Sequence, residues 1–366
     1  MMGMKSFFLK SVSLIVPAII FFHAKSFAQQ SCSQNLETAR NQFDQGNYYE
    51  IRNTLQGCLN SGFTRVERIE ALELLALTEM YLDHSDLADS SYLALLKIDP
   101  EHTVDETADP PDLVFLHRSF KTKPLFIWNI NAGFNQVYPR IIYQYSIFPR
   151  YVGGDDSLTQ ALNVDEDFQT RTGYTIGGGI EFILLKNLYA GVDGQLVFGT
   201  FNAKYRSGGL DTNGDNPNQI TSVTIPVYAR YQFGRNRLKP FLTAGGIMNL
   251  LFNSELNSPV RKNQIFSDIN SGDLNLTSLF ERINYSIMAG VGLVYKTAGI
   301  SSLGVDFSYR LGFKNYTIEN RRFSLEGNQR SLINLGYIPP AFRLDQFMLT
   351  LKYLRPLYNP KKILPK

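Results

Sequence analysis

The sequence is poor in the residues that most often carry chemistry. In 366 residues there are two cysteines, one tryptophan and four histidines. Two cysteines allow at most one internal bridge, so a disulfide-dense scaffold does not fit. No histidine lies beyond His117, so residues 124–354 hold no imidazole, and general-base chemistry there would need a tuned carboxylate or lysine. There is no GxSxG, no HExxH and no phosphate-cradling glycine loop. Charge of one sign is missing too: 36 Lys and Arg stand against 33 Asp and Glu, a net +3, which implies neither nucleic acid nor an acidic partner. After the first thirty residues no stretch of about twenty apolar residues occurs, so no later helix reads as membrane-spanning. These absences point away from an enzyme and away from any cofactor.

What is present begins with an export signal. Lys5 and Lys10 precede the apolar run SVSLIVPAIIFF, Ser11–Phe22, and SFA, Ser26–Ala28, supplies small residues where a signal peptidase reads. Residues 1–28 are expected to be removed. The run is short for a membrane helix and contains Pro17. Gln29, Gln30 and Ser31 do not make a lipobox ahead of Cys32. An exported chain without membrane helices can enter a membrane only through strands.

Residues 29–121 carry helical periodicity. TRVERIEALELLALTEMYL sets Val66, Ile69, Leu72, Leu75, Ala76 and Leu82 at helical spacing, Asp86 can cap the next helix, and Pro100 ends it. A further helix is expected in PPDLVFLHRSF, Pro110–Phe120. Export permits a Cys32–Cys58 disulfide. Helices over 33–45 and 48–60, turning at Gly46–Asn47, would bring both cysteines to one end of a hairpin and close a loop of about 27 residues, worth roughly 3 kcal/mol. Two separate buried thiols remain the alternative. His84, His102 and His117 read as turn or surface histidines.

After Pro124 the period changes to two, and eight runs have strand character: Leu125–Gln136, Gly173–Leu184, Leu188–Tyr205, Ile220–Phe233, Pro240–Leu251, Arg282–Tyr295, Ser302–Phe313 and Arg343–Leu354. LGVDFSYRLGF shows the pattern: Leu303, Val305, Phe307, Tyr309, Leu311 and Phe313 share one face, Asp306 and Arg310 the other. The fifth run, PFLTAGGIMNLL, gives no clear face. Links after the second, fourth and sixth runs are short. Those near 137–172, 206–219, 252–281 and 314–342 are long and polar. Such alternation is expected of an up-and-down barrel with short turns on one side of a membrane and long loops on the other. The aromatic and aliphatic face then meets lipid. Glu181, Asp193 and Asp306 face inward with Arg230, Arg310 and Lys352, their signs balanced. Burial demands that they pair. A narrow charge-lined path for a small solute is the alternative. Inward glycines, among them Gly177, Gly179, Gly191, Gly290 and Gly292, make room for larger neighbours in so narrow a bore.

Two resemblances follow from these segments. DQGNYYEIRNTLQGCL and LDHSDLADSSYLALLKIDP resemble the tetratricopeptide repeat, with Ala88, Tyr92 and Pro100 at its small, aromatic and proline positions and Ile51 where a small residue is usual. TIPVYARYQFG followed by KPFLTAGG, with the segments GGGIEF and AGVGLVY, resembles the eight-stranded outer-membrane barrel domain found in Bacteroidota. That resemblance implies an architecture and carries over no functional residue.

The expected fold is α + β and multidomain: a signal peptide (1–28), a periplasmic TPR-like helical domain (29–121), an eight-stranded antiparallel up-and-down transmembrane β-barrel (124–354) and a periplasmic tail (355–366) in the outer membrane of a Gram-negative cell. The expected role is a lipid-embedded anchor presenting the helices to a periplasmic or outer-membrane protein partner, as an envelope-assembly or secretion accessory. A narrow pore and a surface-loop adhesin stay open as alternatives. One metal candidate exists. In DTNGDNPN, Asp211, Asn213 and Asp215 have the spacing of the first ligands of a calcium loop, but the glycine is misplaced and Ser222 stands at position twelve.

Overall fold

A computed structural model describes residues 31–145, 164–207, 212–234, 236–263, 268–322, 329–335 and 337–363. The expected signal segment and Asp211 lie outside these residues. The chain divides into two compact units, residues 1–124 with 358–366, and residues 125–357.

The first unit is helical. Helix α1 covers residues 31–44, followed by α2 (Tyr48–Leu59), α3 (Arg65–Tyr81), α4 (Ser85–Ile98) and α5 (Pro111–Arg118). The turns after α1 and α3 each need a residue in the left-handed region, supplied by Gly46 (φ +73°) and Asp83 (φ +59°). Helix α3 opens with a capping box: Thr64 Oγ1 accepts from the Glu67 N–H at 3.3 Å, and Glu67 Oε2 accepts from the Thr64 N–H at 2.8 Å. One core gathers Leu36, Ala39, Ile51, Leu55, Ala71 and Leu75. A second gathers Leu72 and Ala76 with Tyr92, Leu95, Leu113, Leu116 and Phe120. Because α3 contributes to both, it joins the two helix pairs. Cys32 and Cys58 are bonded, with Cα atoms 5.6 Å apart.

This unit also holds two short strands, β1 (Phe120–Lys121) and β13 (Lys361–Lys362), paired antiparallel with Phe120 opposite Lys362 and Lys121 opposite Lys361. The Ile363 N–H donates to the Ser119 carbonyl at 2.7 Å, Tyr358 Oη to Glu101 Oε1 at 2.6 Å, and Lys362 pairs with Asp89. The segment expected as a separate tail over 355–366 is thus divided between the last long strand and the helical unit. Its first residues continue the last long strand, and its next ones complete the helical unit through backbone bonds that a polar composition does not reveal.

The second unit is built of long strands: β2 (Pro124–Tyr143), β3 (Val164–Leu185), β4 (Leu188–Ser207), β5 (Thr212–Gln232), β6 (Leu238–Leu256), β10 (Ile283–Lys296), β11 (Ser302–Gly312) and β12 (Ala341–Tyr358). Pairing runs β5–β4–β3–β2–β12–β11–β10–β6, and β5 also pairs with β6, so the sheet returns to its start as a barrel. The rim is uneven. Short strands β7 (Val260–Asn263), β8 (Ile269–Asn270) and β9 (Leu274–Asn275) extend one side of it.

Most strands run beyond their expected ends, which corrects the connections. The expected polar loop over 206–219 is mostly ladder, because β4 and β5 stay paired out to Ser207 opposite Thr212. The links over 257–282 and 313–340 do not simply hang in solvent. They carry Leu274, Leu276, Leu279, Phe280, Tyr316 and Leu335 into a core with Phe201, Leu251 and Phe342. Helix α6 (Gln329–Leu335) belongs to this cap. No described helix is long and apolar enough to cross a membrane.

Candidate functional site

The strand unit is inverted relative to a water-soluble fold. On β11, Leu303 and Phe307 are 52% and 48% exposed, while Asp306 and Arg310 are 2% and 3% exposed. Across the pairing β10–β11–β12 the exposed positions are Val291, Phe307 and Leu349, which lie side by side. Charge inside and hydrocarbon outside is stable only where the outer solvent is itself hydrocarbon.

The inward charges meet in one cluster, organised around Tyr228. Its hydroxyl lies 2.9 Å from Glu181 Oε1 and 3.1 Å from Asp193 Oδ1. Glu181 also pairs with Arg230, and both side chains are almost fully buried. The Arg230 guanidinium lies over the rings of Tyr189 and Phe241, at 4.9 and 5.3 Å. Lys352 Nζ sits 3.6 Å from Asp193, 3.3 Å from Asp306 and 5.0 Å from the centre of the Tyr228 ring. Five of the six charges that the sequence placed inward thus form contacts with one another. Arg310 does not. Among the described residues no carboxylate lies within 4 Å of it, and it donates to Gln195 Oε1 at 2.6 Å and Thr224 Oγ1 at 3.3 Å. A chain of amides links it back: Gln195 donates to Asn131, Asn131 to Asn129, and Asn129 to Asp193, at 3.0–3.2 Å.

Tyr228, Gln195, Thr224, Asn129 and Asn131 were not singled out from sequence. Their only signal was parity, since each shares the polar face of its strand. Glycine makes the space they need. A Cβ on Gly191 would stand 2.5 Å from the Tyr228 ring, and one on Gly179 would stand 2.0 Å from Asp193 Oδ1.

Apolar layers bound the cluster on both sides. Toward the short turns lie Phe241, Val294 and Leu354, with Ile127 against them. Phe241 resolves the ambiguous face of the fifth run: Phe241, Thr243 and Ile247 point inward, Leu242 and Ala244 outward. Toward the long connections, Ser222, Asn249, Asn284, Ser286 and Gln346 line a gap of about 10 Å³, near the lower limit for one water. The apolar cap described above lies beyond it.

The calcium-loop candidate is corrected. Asn213 and Asp215 sit in β5, paired with Arg206 and Lys204 of β4, and Asp215 accepts from the Asn202 amide. An extended ladder cannot curl oxygen ligands around one ion. Among the described residues no group of three His, Cys, Asp or Glu side chains is arranged to hold a metal.

In the helical unit, His102 and His117 are not scattered. Both rings stand edge-on to buried Tyr92, at 6.4 and 6.1 Å, and Tyr92 Oη lies 2.7 Å from His117 Nδ1. His102 Nε2 is 3.4 Å from Glu73 Oε2. Burial holds both histidines below the ordinary imidazole value, helped for His117 by the neighbouring His102 charge. Burial pushes Glu73 up, aided by Asp109 and Glu70. Glu79, buried, joins Arg52 of α2 at 2.6 Å and His84 at 3.0 Å. Tyr49, Val66 and Phe115 stand exposed on the surface of the unit.

A sequence model for the outer membrane protein beta-barrel domain matches residues 120–317, more than half of the chain. The chain belongs to this outer-membrane barrel family. Its localisation to the outer membrane follows, and agrees with the inverted faces of the strands. No curated protein matches the chain in sequence. Barrels of this family's kind are similar in solved structures. OprG from Pseudomonas aeruginosa has 9% identity and a TM-score of 0.33, covering 63% of this chain and 96% of its own. Neisserial surface protein A has 11% and 0.30, covering 62% and 95%. The outer membrane protease OmpT from Escherichia coli has 9% and 0.36, covering 63% and 96%. At such scores the likeness assigns no function to this barrel.

Proposed function

We propose that the chain is an eight-stranded, up-and-down outer-membrane anchor whose helical unit, built as a TPR-like pair of helix hairpins, docks a protein partner in the periplasm. Its role is non-enzymatic, as an accessory to envelope assembly or secretion. The observation that carries the anchor reading is the filled lumen: three acids and three bases held together or through amides, with apolar side chains above and below. Such packing favours an anchor over a passage for a solute. Even strand number returns both ends of the barrel to the short-turn side, so the helices and the last residues share one compartment. There the helical unit offers exposed Tyr49, Val66 and Phe115, and helical faces of this kind recognise partner segments.

Two measurements test the two halves. Single-channel recording of the purified chain in planar bilayers should give no conductance, and steady ion current through monomers would replace the anchor with a pore. Crosslinking in intact envelopes should capture the same partner from the full chain and from a chain lacking the 257–282 link, and should lose it without residues 29–121. Capture that depends on the external link would support an adhesin instead.

A further inference from the structure

The β1–β13 ladder contains an arrangement that its own unit does not explain. Lys121 and Lys361 stand directly opposite each other. Both side chains are exposed, and so is Lys123. Like charges at directly opposed positions of a ladder repel. Lys362 finds Asp89, but no carboxylate of the described residues lies within 4 Å of Lys121, Lys123 or Lys361. Backbone pairing therefore holds Lys121 against Lys361, with Lys123 two residues along the chain, and no described carboxylate lies close enough to pair with any of the three.

Chain connectivity sets an upper limit on how far the lysines can lie from the apolar strand ends. Lys121 precedes exposed Leu125 by four residues, and Lys361 follows exposed Leu357 by four. Four residues span at most about 14 Å. Leu125 and Leu357 end the apolar surface of two strands that are neighbours in the barrel, β2 and β12. Polar headgroups begin where that surface ends, and a lysine can carry its ammonium several ångströms further along its apolar stem.

We infer that Lys121, Lys123 and Lys361 bind the phosphate groups of anionic phospholipids at the leaflet surface on the short-turn side. The inference rests on the strands being a membrane barrel. Each lysine near a charged leaflet contributes about 1 kcal/mol, a factor of about five in affinity. Lipid phosphates also remove the cost of opposing Lys121 to Lys361, so ladder and lipid stabilise each other.

The test is native mass spectrometry of the full chain in nonionic detergent, with equimolar phosphatidylglycerol and phosphatidylcholine. The wild-type chain should retain phosphatidylglycerol preferentially. Lys361→Gln should lower that preference about fivefold. The triple Lys121→Gln, Lys123→Gln, Lys361→Gln should abolish it, and the corresponding triple arginine chain should keep it. In phosphatidylcholine the triple glutamine chain should melt no lower than wild type, because it removes a repulsion. Equal lipid preference in the wild-type and glutamine chains overturns the inference, as does inorganic phosphate displacing the lipid at equal concentration. Gel mobility separates the two levels: a heat-modifiable chain without lipid preference overturns the lysine site alone. A chain that is not heat-modifiable and stays dissolved without detergent overturns the barrel and the site together.

Discussion

Glu181 and Arg230 show how strongly a single side chain inside this barrel depends on its partner. Removing one charge leaves the other buried and uncompensated, which typically costs about 3–5 kcal/mol, whereas replacing both by apolar groups of similar size is close to neutral. Arg230→Met should therefore destabilise the barrel by about that amount in urea titrations in detergent, and Glu181→Gln with Arg230→Met should recover most of it. At the helical end the sensitive groups are His102 and His117. Their imidazoles titrate lower in the fold than the free value of 6.5, so the unfolded chain takes up protons first. Their contribution is intact above that value and is lost as pH falls below it. Glu73, Asp99 and Asp109 face the same cluster, so the histidines must be isolated by difference. The melting temperature should drop from pH 8 to pH 5 by more in the wild-type chain than in His102→Gln, His117→Gln. Asp306 and Arg310 were legible as inward because they interrupt an otherwise apolar alternation. Tyr228 was legible as inward only through its parity with Arg230, and its place at the centre of the cluster was not legible, since the space for its ring comes from Gly191 on the neighbouring strand.

Among elements, the hairpin of α1 and α2 is clamped at its open end by Cys32–Cys58 and tied to α3 by Arg52–Glu79. Reduction should lower the stability of the helical unit by about 3 kcal/mol while leaving strand content unchanged by circular dichroism. The cysteine spacing and the Gly46–Asn47 turn made this hairpin readable in advance. Strand interiors were readable for a similar reason, since period two survives wherever one face is lipid. Strand ends were not. Beyond the membrane both faces of β4 and β5 can carry polar residues, and Asn216 and Asn218 look like loop until the ladder buries them. The apolar cap was hidden differently: its leucines and aromatics are spread over two links, and neither link alone has a period.

For the whole molecule, the lipid-facing surface has a measurable height. Ten steps from Leu303 in β11 to Phe313 just past its end, at about 3.4 Å each and tilted about 40°, rise about 26 Å, close to the apolar band of outer-membrane barrels. Leu349 lies near the middle of this band, beside Phe307. Leu349→Arg should cost about 2–4 kcal/mol when folding is measured in phospholipid vesicles. On a water-facing surface the same change would be nearly silent, so the result separates a membrane barrel from a soluble one. The pairing of β1 with β13 has a consequence of a different kind, for the order of assembly. The helical unit, whose helices all precede Ser119, is finished by residues made only after the last long strand. Until Lys361 and Lys362 emerge, Phe120 and Lys121 present an open edge, and a chain cut short in the final strand never covers it.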